Sequence, residues 1–83
     1  MTTTASIEHA LEKHRSGDLA GAREAYGLIL EGHPEDVTAV HLMGVICSQR
    51  HEWQEAESWF RRSIALAPAY APAYGNLGLV LSE

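Results

Sequence analysis

The sequence predicts an all-α fold of stacked helical hairpins. Three observations carry the prediction. Small and apolar residues recur with a 34-residue period: Ala5, Ala39 and Ala73 align, as do Ala10, Gly44 and Gly78. Within each period the apolar residues fall three and four apart, the spacing of an amphipathic helix. Glycine, proline and aspartate stand between these runs, and no stretch shows the alternation of a strand.

Taken in order, the spacings predict helices over about 4–16, 20–32, 37–50, 54–66 and 71–82. The first carries Ile7, Ala10 and Leu11 and stops at Ser16-Gly17-Asp18. Gly17 suits the left-handed position after a helix, and Asp18 suits the cap of the next. The second carries Ala22, Ala25, Tyr26, Ile29 and Leu30 and ends at Gly32-His33-Pro34, where proline lacks an amide proton. Glu35 and Asp36 then put negative charge at the start of the third.

Val40, Met43, Gly44 and Cys47 make the stripe of the third helix; Trp53, Ala56, Trp59, Phe60 and Ile64 make that of the fourth. Pro68 closes this unit, and Pro72 falls in the first turn of the fifth helix, where proline is tolerated. Glu57 and Arg61 are an i,i+4 ion pair. The expected core is Ala10, Tyr26, Ile29, Leu30, Met43, Gly44, Cys47, Ala56, Phe60, Ile64 and Leu77, with Gly44 facing Ala56 across the second hairpin.

These positions resemble the tetratricopeptide repeat, whose pattern runs W-x2-L-G-x2-Y, A-x3-F, P. Residues 37–70 match it through Val40, Met43, Gly44, Cys47, Ala56, Phe60 and Pro68. Residues 71–83 match its start through Tyr74, Leu77, Gly78 and Leu81. Residues 3–36 keep Ala22, Tyr26 and Pro34 but hold Ser6, His9, Ala10 and Lys13 in the first-helix slots. The resemblance implies two full repeats and the first helix of a third, forming one α-α superhelical domain.

Composition narrows the function. The 83 residues carry a net charge of −5 with only six scattered bases, which argues against nucleic acid. Seven acids and three bases lie in residues 1–36, against three and three in 37–70. No run approaches the roughly 20 apolar residues of a membrane span. Met1 is followed by three threonines rather than a basic and then apolar leader, so a cytoplasmic location is expected.

No catalytic or cofactor constellation stands out. His9 and His14 are five apart and His41 and His51 ten, not the three or four that zinc ligands on one helix use. Cys47, the single cysteine, falls in a core stripe. No glycine-rich phosphate loop is present. The expectation is a non-enzymatic module with no cofactor and no metal.

The resemblance implies a binding face on the first helix of each unit, for a peptide or partner protein. By position this face holds Ile7, Leu11 and Arg15, then His41, Leu42, Val45 and Gln49, then Asn76 and Leu79, with Thr4, Glu8, Thr38, Pro72 and Gly75 beside them. Family members that clamp a C-terminal carboxylate use lysine and arginine here; Arg15 is the only strong cation, which disfavours that ligand. The asparagine ladder of glycosyltransferase-associated arrays has only Asn76, because Glu8 and Leu42 hold the other slots. An alternative implied by the family is a structural or oligomerising N-terminal part of a longer array attached to a transferase domain. Leu77, Val80 and Leu81 are expected to border an open apolar edge and to support a homodimer through the terminal helix.

Overall fold

The computed structural model describes residues 3–69 and 71–82, with side chains placed for 7–69 and 75–82. The expectations for Thr4, Pro72 and Tyr74 lie outside the described side chains. Five helices follow in order: α1 (Thr3–Arg15), α2 (Leu19–Gly32), α3 (Val37–Gln49), α4 (Trp53–Leu66) and α5 (Ala71–Leu81). No strand occurs among the described residues. The fold is the expected series of tetratricopeptide-type helical hairpins: α1 packs on α2, α3 on α4, and α5 follows against α4, with α2 against α3 joining the hairpins.

Each turn inside a hairpin is built the same way. Gly17 has φ 90°, its amide donates to the His14 carbonyl (3.1 Å), and the Asp18 amide donates to that of Lys13 (2.9 Å). One period on, His51 has φ 60°, its amide donates to the Ser48 carbonyl (3.1 Å), and the Glu52 amide donates to that of Cys47 (2.8 Å). Both turns satisfy carbonyls that the preceding helix leaves without a partner. The caps diverge. Asp18 accepts from the Gly21 amide (2.9 Å), and Asp36 accepts from that of Ala39 (3.1 Å). Glu52 makes no such bond, because its carboxylate pairs with Arg23 and Arg50.

The core forms two clusters. Ala10, Ala22, Tyr26, Ile29, Ala39, Met43 and Ile46 join the first hairpin to α3. Cys47, Ala56, Phe60 and Val80 join α3, α4 and α5. Of the expected core, Leu30, Ile64 and Leu77 are only half-buried, while Ala22, Ala39, Val40, Ile46 and Val80 are buried as well. The Gly44–Ala56 facing is refined by the second cluster: the side chain packed directly on Gly44 is Phe60, whose ring leaves no room for a Cβ. Ser63 is buried and donates its hydroxyl to the Phe60 carbonyl (3.0 Å).

The connection between hairpins is fastened from α4. Arg62 donates to the Pro34 carbonyl (3.0 Å) while its guanidinium lies 5.5 Å from the centre of the Trp59 ring. No helix among the described residues is long and apolar enough to cross a membrane.

Candidate partner-binding face

The first helices of the units lie side by side, and two polar links tie them. His14 of α1 is 2.7 Å through Nε2 from Oε1 of Gln49 in α3. His41 of α3 is 3.3 Å through Nε2 from Nδ2 of Asn76 in α5. The two pairs share a 35-residue separation, so the same diagonal step is repeated along the stack. An amide oxygen only accepts, so His14 donates from Nε2; its Nδ1 then accepts from the Tyr26 hydroxyl (3.2 Å). Tyr26, His14 and Gln49 thus form one chain across α2, α1 and α3. Burial pushes the Tyr26 phenol up, with the charge of Arg15 partly opposing.

The surface exposed by these helices is narrow. On α3 the side chains of Ala39, Val40, His41, Met43, Ile46 and Cys47 are buried together with Gly44. Thr38, Leu42, Val45 and Ser48 remain half-buried, and Gln49 is exposed. Leu42 leans on the first core cluster and Val45 on the second, so each shows one side to solvent. Ile7 and Leu11 of α1 are half-buried, Arg15 is exposed, Asn76 is half-buried, and Leu79 is 65% exposed. Neither α3 nor α5 contains a charged residue, in a chain that is 20% charged. Their open surface is therefore apolar and neutral, with Arg15 and Glu8 at the α1 side.

Two expectations are corrected. His41 does not line the open face; it is only 6% exposed. Its ring lies 5.5 Å from that of Phe60, and α5 covers it through Asn76. Burial accordingly pushes the His41 imidazole below its ordinary value. Val80 does not border the terminal edge either: it is 4% exposed, because α5 seats it in the cluster with Phe60 and Ala56. Leu77 is half-buried beside it, and Leu81 is 55% exposed.

One polar group escaped the reading by spacing. Cys47, Glu52 and Glu55 bring three possible metal-ligand atoms within 4.8 Å of one another. Arg23 of α2 already supplies positive charge there: its guanidinium donates to Cys47 Sγ (3.3 Å) and to the Glu52 carboxylate. The hydrogen bond from Arg23 holds the Glu52 carboxyl below its usual range, and burial pushes the Cys47 thiol up against the opposing effect of Arg23. The group binds the two hairpins to each other. His51 stacks on Trp53 at the rim of this turn, with ring centres 5.1 Å apart.

No protein-family model and no curated protein matches the chain. Among solved structures, a mutant of Thermobaculum terrenum O-GlcNAc transferase is similar over 95% of this chain, at 34% identity and a TM-score of 0.91. The chain spans 15% of the length of that protein.

Proposed function

We propose that the protein is a non-catalytic interaction module that binds an extended peptide or partner segment along the first helices of its hairpins. The observation that carries this reading is the uncharged, half-open stripe of Thr38, Leu42, Val45 and Gln49 on α3, flanked by Leu11 of α1 and Leu79 of α5. Leu42 and Val45, held on one side by the core and open on the other, offer apolar contact at little cost in side-chain order. Gln49 and Asn76 offer amide groups for the backbone of the bound segment. A neutral stripe in an acidic protein favours an apolar segment with uncharged polar groups over an acidic tail. A cytoplasmic location accords with this reading.

The test is selection from a displayed library of random peptides, followed by amide NMR mapping of the strongest binder. Shifts are expected at Leu11, Leu42, Val45, Gln49 and Leu79, and Leu42→Asp with Leu79→Asp is expected to abolish binding. Shifts confined to α2 and α4 overturn the proposal.

The similarity to an O-GlcNAc transferase favours a second reading, in which this array is the docking or assembly part of a larger transferase-like protein. An antibody against the 83 residues distinguishes the two on a denaturing gel of the source cells. A band far larger than the chain supports the second reading, and a band of its own size opposes it.

A further inference from the structure

The hydrogen bonds that run from Tyr26 through His14 to Gln49 have a direction, and the core sets it. Tyr26 is fully buried, His14 is half-buried and Gln49 is exposed, so the chain leads from the interior of the first hairpin to the open side of α3. Among the described residues the Tyr26 hydroxyl has one partner, His14 Nδ1 at 3.2 Å. Were His14 protonated at Nδ1 instead, the hydroxyl proton of a fully buried side chain would have no acceptor. Burial pushes the Tyr26 phenol up, so the hydroxyl keeps that proton to give. His14 therefore carries its own proton on Nε2 and donates it to Gln49 Oε1 (2.7 Å).

Gln49 is left with one sense of hydrogen bonding toward solvent. Its oxygen is held by His14, and among the described residues nothing accepts from its amino group. Successive bonds in such a chain polarise one another, which makes the amino group a stronger donor. Gln49 stands four residues after Val45 and seven after Leu42, on the same uncharged stripe.

We propose that Tyr26 and His14 fix Gln49 as a hydrogen-bond donor to the bound segment, so that the partner sets a main-chain carbonyl oxygen, and not a main-chain N–H, opposite Gln49. The inference rests on the reading of the α3 stripe as the partner-binding face. Gln49 makes the contact, and Tyr26 and His14 are positioning residues that act through it.

Two measurements test the proposal. Histidine 15N NMR of the protein at about pH 8, where imidazole is ordinarily neutral, should show His14 protonated at Nε2 and bare at Nδ1, and Tyr26→Phe should abolish that preference. A purely packing role for Tyr26 would leave the proton position unchanged in the variant. The peptide selected from the displayed library is then titrated against two variants at exposed Gln49. Gln49→Met, which loses the donor, should weaken it about threefold, and Gln49→Glu, which still accepts from His14 but sets an acceptor against the carbonyl, more than about tenfold. A His14 proton on Nδ1 overturns the proposal, as does a peptide that binds Gln49→Glu as tightly as the parent. A library that yields no binder on the α3 stripe overturns the underlying reading and this proposal with it.

Discussion

The Phe60 ring lies against the bare Cα of Gly44, so close that an added Cβ would stand 2.6 Å from Cε1 and 2.8 Å from Cδ1. Phe60 is fully buried, so its ring can shift only by displacing its neighbours. Gly44→Ala therefore overpacks the hairpin by roughly 1–3 kcal/mol, against a gain of about 1 kcal/mol in helix propensity. A net loss of about 1 kcal/mol is expected in urea unfolding. Gly27→Ala, in α2 with nothing within 4 Å of the new methyl, should instead gain about 0.5–1 kcal/mol. Equal effects at the two sites would refute the close approach.

His51→Gly should raise the melting temperature. The left-handed backbone at φ 60° strains a residue with a Cβ by about 1–2 kcal/mol, and Gly17 holds the equivalent turn without that strain. The gain is reduced by about 0.5–1 kcal/mol through the greater freedom of an unfolded glycine, and by loss of the stack on Trp53. A lower melting temperature would mean that the stack outweighs the strain.

Stability should fall as the solution is acidified below about pH 6.5, the ordinary histidine value. Buried His41 takes up its proton at lower pH than the unfolded chain does. Between the two values the unfolded chain binds more protons, so stability decreases with falling pH by at most about 1.4 kcal/mol per unit. Phe60 and Asn76 flank the ring, and neither offers a negative charge to stabilise the imidazolium. Urea midpoints measured from pH 7.5 to 5 should show the decline, and His41→Gln should lessen it; an unchanged decline in the variant would remove His41 as its source.

The Cys47 thiol should react slowly. It is 1% exposed, and burial pushes it up, which lowers the thiolate fraction that attacks alkylating reagents. Iodoacetamide labelling at pH 8 is expected to be at least tenfold slower in the folded chain than in urea. Comparable rates would show that α3 and α4 separate readily at this end.

The repeat made the helices legible. Gly17, Asp18, Pro34 and Pro68 punctuate the chain by backbone geometry, which depends on neighbours in sequence, and every helix lies within one residue of its predicted bounds. What escaped depends on which element closes over which. His41 follows the same spacing as surface positions, yet α5, 35 residues on, covers it. Val80 turned inward because α5 sits on α4 as α3 sits on α2. The Arg23, Cys47 and Glu52 group joins residues 24 and 29 positions apart, and no local pattern announces it. The 35-residue step from His14 to Gln49 was present in the sequence and would have emerged from comparing polar residues across periods as well as apolar ones.

Arg62 gives the stack a mechanical property. Its guanidinium grips the Pro34 carbonyl from α4 while resting on Trp59, so the short joint between the hairpins is braced by a strut rather than left slack. Bending there requires the strut to let go. Replacing Arg62 would soften this joint, leaving the two hairpins intact and joined by their shared core and by Arg23.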